Sequence, residues 1–241
     1  MIELKNVSCH FDKKTVLESV SLQIKEHLTL LGANGAGKST LAKILCNIVP
    51  FEGDIFIEGK QAQKLQAKER AKLISYIPPK LEVYEQHITV FEFILLGRFP
   101  YKSSFFDYSE ADKKIARDSL ELLNLVHLTG TLLSSLSSGE SQLTLIAQAL
   151  AQQSKIIIFD EPTANLDPKN STIIAKHIKR LKETHTIILI THDISLASFI
   201  DSPVAFVKEK IVHYFEKNFF EEKNLQALYG VAFKELTVQY D

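Results

Sequence analysis

Gly32-Ala33-Asn34-Gly35-Ala36-Gly37-Lys38-Ser39-Thr40 is a glycine-rich turn set between an apolar run, residues 28–31, and the helix-like Leu41-Ala42-Lys43-Ile44-Leu45. The spacing Gly-x4-Gly-Lys-Ser lets successive backbone N–H groups converge on an anion at a helix N-terminus, where the helix dipole adds to the attraction. Glycines admit backbone where a Cβ would clash. Lys38 has the reach to meet the outer phosphates of a nucleotide, and Ser39 offers the small hydroxyl that a Mg²⁺ ion beside them needs. A strand-like run before the loop and a helix after it are the setting this pattern requires, so residues 32–40 are expected to cradle nucleotide phosphates.

Outward from the loop, residues 156–159 and 187–190 are also continuously apolar. Together with 28–31 they read as parallel strands covered by helices on both faces. Each ends in polar residues, and open parallel sheets bind ligands at the carboxyl ends of their strands. Asp160 is suited to hold Mg²⁺ through its water shell, and Glu161 to polarise an attacking water as general base. His192, in Thr191-His192-Asp193, could donate a hydrogen bond to the terminal phosphate and sense its loss.

The first sixty residues alternate apolar and polar in short runs, 2–7, 20–24 and 53–59, the pattern of antiparallel strands. About residues 80 to 150 carry helical spacing, with Ser109 to Asp112 resembling a capping box and Ile115, Leu120, Leu122 and Leu123 available for an apolar face. This stretch reads as a helical insertion. Asp167-Pro168 pairs an N-cap with proline at the first helical position, and Ile174, Ile178 and Leu181 follow at helical spacing. Residues 204–207 and 211–215, joined by Lys208-Glu209-Lys210, predict a hairpin.

The chain has 241 residues, enough for one large domain with an inserted subdomain. Its 28 basic and 29 acidic residues leave a net charge of −1, so no global field draws in nucleic acid, and none is expected as a partner. No apolar stretch approaches the roughly 20 residues that span a bilayer. The alternating start, Met1 to Asn6, lacks a signal peptide's apolar core, which points to the cytoplasm. Cys9 and Cys46 have no metal-type pairing and read as core thiols. Of the 8 histidines only His192 stands where chemistry is expected.

These residues resemble the nucleotide-binding subunits of ATP-binding-cassette (ABC) transporters over nearly the whole chain. Gly32 to Ser39 is similar to the family's Walker A, 156–160 to its Walker B, Glu161 to its catalytic glutamate and His192 to its switch histidine. The run 164–167, ending in Asp167, resembles the D-loop, and Phe11 stands where an aromatic stacks on adenine. Leu136-Ser137-Ser138-Gly139-Glu140 occupies the place of the Leu-Ser-Gly-Gly-Gln signature.

The resemblance implies an α/β fold: a P-loop core of mostly parallel strands, an N-terminal antiparallel β subdomain and an inserted helical subdomain, in one ATPase domain over 1–241. It implies ATP and Mg²⁺ as cofactors. It also implies a head-to-tail pair of copies, in which Ser137 and the Gly139 N–H of one copy complete the γ-phosphate cradle of the other. An integral membrane permease would be the second partner, holding the chain at the cytoplasmic face of the membrane.

Three departures stand out. Pro79 takes the place of the Q-loop glutamine and has no side-chain amide to offer a metal or a water; Gln86 lies nearby in sequence. Ser138 and Glu140 replace a glycine and a glutamine of the signature. Ser141, Leu143 and Gln148 replace arginines common in the helix that follows. A slow or partner-dependent ATPase is the expected consequence. Thr89 to Phe93 and Leu95 to Tyr101 resemble the subgroup that serves importers of iron–siderophore, haem or cobalamin. Phe99, Tyr101, Phe105, Phe106 and Tyr108 are candidates for the groove that receives the permease's cytoplasmic helix. The competing readings are an ABC ATPase of another transporter or of a soluble machine, and a weakly hydrolysing nucleotide-gated module.

Overall fold

The computed structural model describes residues 1–12, 14–82, 85, 87–102 and 107–229. In chain order its elements are β1 (Ile2–Phe11), β2 (Lys14–Ile24), β3 (Leu28–Gly32), α1 (Lys38–Leu45), β4 (Glu52–Ile57), β5 (Lys60–Gln61), α2 (Ala67–Ala71) and β6 (Ile74–Ile77). Three helices follow, α3 (Val90–Leu96), α4 (Glu110–Leu122) and α5 (Ser138–Ala151). The chain then runs through β7 (Ile156–Asp160), α6 (Pro168–Leu181), β8 (Thr186–Ile190), α7 (Ile194–Ile200), β9 (Val204–Lys208), β10 (Ile211–Phe215) and α8 (Glu222–Tyr229).

Two sheets organise these elements. One is antiparallel, in the order β2-β1-β4-β5; the other runs β10-β9-β3-β8-β7-β6, parallel from β9 to β6 with β10 antiparallel at its edge. The apolar runs of the sequence are explained by this layering. Ile156, Ile158, Ile188 and Ile190 face a core shared with α1 and the antiparallel sheet, while Ile157, Phe159, Ile187 and Leu189 face a second core built with α3 to α6. A strand buried on both faces has no polar side to alternate with.

Two pairings of the larger sheet were not anticipated. β9 forms the expected hairpin with β10 but also pairs in parallel with β3, and β6 pairs in parallel with β7. The helical stretch matches expectation, with the Ser109–Asp112 capping box at the start of α4. Leu122 departs from it: Leu120 and Leu123 are buried, whereas Leu122 is 48% exposed.

Arg98, buried at the end of α3, fastens the helical layer. Its Nε donates to Asp112 Oδ1 at 2.9 Å, and its Nη1 donates to the Ala151 carbonyl at 2.8 Å and to Gln153 Oε1 at 2.9 Å. Burial pushes the Asp112 carboxyl up, but hydrogen bonds from Ser109 and Arg98 outweigh it and hold the group below its usual range. Cys9 and Cys46 are free and buried. Among the described residues no helix is long and apolar enough to cross a membrane.

Candidate nucleotide site

β3, β7 and β8 are neighbours in the sheet, and their carboxyl ends bring the phosphate loop, Asp160-Glu161 and His192 together. Backbone geometry fixes the loop. Gly32 has φ +150°, and a Cβ there would lie 2.6 Å from the Val207 carbonyl oxygen of β9. Gly37, at φ +105°, is the N-cap of α1 and packs against Val16 and Leu17 of β2. No side chain caps α1, so its first N–H groups are left for a ligand.

Lys38 is 6% exposed and folds back over the loop, its Nζ donating to the carbonyls of Gly32 (2.9 Å) and Ala33 (3.1 Å). The same ammonium lies 3.7 Å from Glu161 Oε1. On the other side, Glu161 Oε2 accepts from His192 Nδ1 at 2.9 Å and from the His192 backbone N–H at 3.3 Å. A carboxylate can only accept, so Nδ1 carries a proton and Nε2 is the ring nitrogen left for a phosphate. Glu161 itself sits at φ +48°, an uncommon conformation for a non-glycine residue, with its N–H bonded to the Ile190 carbonyl at 2.8 Å.

Asp160 is 1% exposed. Ser39 Oγ donates to its Oδ1 at 2.9 Å and Tyr76 Oη to its Oδ2 at 2.7 Å. The Ser39 hydroxyl spends its one proton on Asp160 and keeps its oxygen lone pairs, so hydroxyl and carboxylate form a hard-oxygen pair of the kind that suits Mg²⁺. Sequence reasoning passed over Tyr76. A cleft of about 600 Å³ opens beside this pair and is also lined by Tyr76 and by two of the departures noted above, Pro79 and Gln148.

The signature residues form a separate cluster. Ser137 is the N-cap of α5; its backbone N–H and hydroxyl donate to Glu140 Oε2 at 2.8 and 2.6 Å, and the Glu140 N–H returns to Ser137 Oγ at 3.4 Å. These bonds hold the Glu140 carboxyl below its usual range. Ser138 lies in the first turn of α5 and is not among the residues with positive φ, so its Cβ brings no backbone strain. Gly139 is buried against Asn170, where a Cβ would come within 2.6 Å of the side-chain amide. Asn170 is held in turn by Asp167, whose Oδ2 accepts from its Nδ2 at 2.6 Å and whose Oδ1 caps α6. Among the described residues, none of Ser137 to Glu140 bonds to the phosphate loop of its own chain.

Phe11 is 44% exposed at the end of β1. Its hairpin partner β2 reaches the loop at Val16 and Leu17. Phe99 is 58% exposed with the Lys68 ammonium 5.6 Å from its ring centre, while Tyr101 and Tyr108 are partly covered and carry Arg98 and Lys102 over their rings. Phe105, Phe106 and Gln86 lie outside the described residues.

A glycine-rich loop feeding a helix, with two adjacent carboxylates and a histidine at neighbouring strand ends, is the arrangement of a P-loop nucleoside-triphosphate-hydrolysing protein. The chain belongs to the ABC transporter family, whose model matches residues 17–164, and is an ATP-binding-cassette ATPase. It is 35% identical to the petrobactin import ATP-binding protein YclP of Bacillus subtilis, over 88% of this chain and 85% of the relative. The manganese transport system ATP-binding protein MntB of Listeria innocua is 32% identical, over 96% and 97%. Among solved structures, a metal-chelate type ABC transporter in an inward-facing conformation superposes with a TM-score of 0.82 at 26% identity, covering 96% of this chain and 89% of that one. The dimeric ATP-binding cassette MJ0796 bound to ADP and Pi superposes at 0.78 with 28% identity, covering 91% and 100%.

Proposed function

We propose that the whole chain, 1–241, works as one ATPase domain that powers a metal-chelate importer, docked on an integral permease at the cytoplasmic face of a membrane. The observation that carries the ATPase half is the convergence of Lys38, Ser39, Asp160, Glu161 and His192 at the ends of β3, β7 and β8. Support for the cargo comes from the petrobactin import relative and the metal-chelate type transporter structure. Free manganese is the second reading, favoured by the MntB relative.

Residues 32–40 hold the phosphates of ATP, and Phe11 stacks on the base. Ser39 and Asp160 would hold Mg²⁺, which would neutralise charge on the phosphates. Lys38 exchanges its loop carbonyls for phosphate oxygens. Glu161, held between Lys38 and His192, takes the proton of the attacking water. Nε2 of His192 reaches the terminal phosphate and donates to it only when the ring carries both protons. The signature cluster, Ser137 to Glu140 with Asp167 beside it, closes the site of a second copy; the dimeric cassette bound to ADP and Pi supports that association.

The test is Mg²⁺-dependent ATP turnover over a protein concentration series, with Glu161→Gln as the comparison. Turnover should rise more steeply than linearly with protein and stay below about 1 s⁻¹ for the isolated chain. Glu161→Gln should retain ATP binding and lose at least about a hundredfold in rate. Near-normal turnover in the variant would remove Glu161 as base, and strictly linear dependence would remove the composite site. For the transport half, the chain should co-purify with a membrane permease; stable binding to ribosomes or DNA instead would overturn it.

A further inference from the structure

Asp160 is the least exposed carboxylate of the site, and among the described residues no ammonium or guanidinium lies within 4 Å of it. A buried carboxylate without a cation is costly unless both oxygens are hydrogen-bonded. Here two neutral hydroxyls do this, one on each oxygen: Ser39 from the start of α1 and Tyr76 from β6. Tyr76 sits in the strand next to Asp160's own, its Cα paired with Ile158. The phenol O–H is the donor of that 2.7 Å bond, since a carboxylate oxygen can only accept.

We infer that Tyr76 is a positioning residue for the cation site, aiming the Asp160 carboxylate toward the cation that Ser39 and Asp160 share. The geometry separates the two hydroxyls. Ser39 belongs to the phosphate loop and would touch the cation itself, whereas Tyr76 touches only the far oxygen of Asp160 and acts through it. Two fixed donors leave the carboxylate little freedom to rotate, and the net negative charge of the pair is left for a divalent ion to balance. Partners that orient metal ligands in this way characteristically govern metal affinity by ten- to a hundredfold. This inference rests on the nucleotide-site reading above.

The experiment is a titration of Mg²⁺ into protein saturated with a fluorescent ATP analogue, for the wild type, Tyr76→Phe and Asp160→Asn. A parallel measurement of nucleotide affinity uses excess chelator, and melting temperatures verify folding. Tyr76→Phe removes one oxygen atom and should raise the half-saturating Mg²⁺ concentration about tenfold. Its affinity for nucleotide in excess chelator should match the wild type. Mn²⁺ followed by electron paramagnetic resonance should show the same displacement. An unchanged Mg²⁺ midpoint in Tyr76→Phe, with Asp160→Asn shifted, would overturn the role of Tyr76 and leave the site reading standing. Equal losses of chelated and Mg²⁺-bound nucleotide would also overturn it, as a general structural defect. An Asp160→Asn midpoint equal to the wild type would overturn the site reading, and the inference with it.

Discussion

Two helix N-termini in this molecule meet the same physical problem in opposite ways. α1 begins at Lys38 after a left-handed Gly37 and has no side-chain cap; α5 begins at Ser138 with both halves of a capping box, Ser137 and Glu140, closed on each other. Free N–H groups at a helix start need partners. α1 leaves them to a ligand, whereas α5 satisfies two N–H groups, those of Ser137 and Glu140, from its own sequence and adds a carboxylate. A helix start kept open by glycine is shaped for an anion that arrives, and one closed by serine and glutamate is stable alone. In the proposed pair of copies, the second must therefore present an already capped, acidic terminus to the first copy's phosphates.

The largest break in this contrast is expected at Gly37. Gly37→Ala places a Cβ 3.1 Å from Val16 and 3.2 Å from Leu17 at φ +105°, and should cost about 1–3 kcal/mol in a denaturant melt. ATP affinity, read by fluorescent nucleotide titration, should fall at least about tenfold with it, because the open terminus loses its shape. Ser137→Ala attacks the closed terminus instead. It should cost about 1 kcal/mol by the same melt while leaving nucleotide affinity of the isolated chain unchanged. A loss of binding in that variant would show that the two termini are not independent within one copy.

The smallest effect is in pH. The folded Glu140 carboxyl titrates below its unfolded value, so its contribution to stability is present above the unfolded pKa, near 4.3, and fades as pH falls through the folded one. Glu140→Gln should flatten that acid limb in melts taken between about pH 5 and 3, and no change in slope would deny the carboxylate its capping role. His27, His177 and His185 add to acid sensitivity at higher pH. Burial lowers each, so the unfolded chain binds the extra protons and stability declines as pH falls below about 6.5.

How much of this was legible beforehand follows from range along the chain. The glycine-rich loop, its strand and its helix are contiguous, and the apolar runs at β7 and β8 end in the residues the sheet brings together at the candidate site, so local pattern sufficed to place them. β6 is four residues long with Ser75 and Tyr76 at its centre, too short and too polar for periodicity to mark. β9 was visible as one arm of a hairpin, but its pairing with β3 joins residues far apart in sequence, which no local pattern encodes. Tyr76 gained meaning only when the sheet set it beside Asp160. Glu140 is a different kind of miss. Ser-x-x-Glu before an apolar run is a capping-box signal of the same kind as the Ser-x-x-Asp of Ser109 to Asp112, so its local role is written in the sequence.

The contact between Gly139 and Asn170 bears on what position 139 can hold. The amide of Asn170 fills the space that any side chain at 139 would need, and the same amide holds Asp167 at the head of α6. A side chain at 139 would have to displace that amide, and the displacement would give up its 2.6 Å bond to Asp167 while leaving the Asn170 backbone N–H on the same carboxylate.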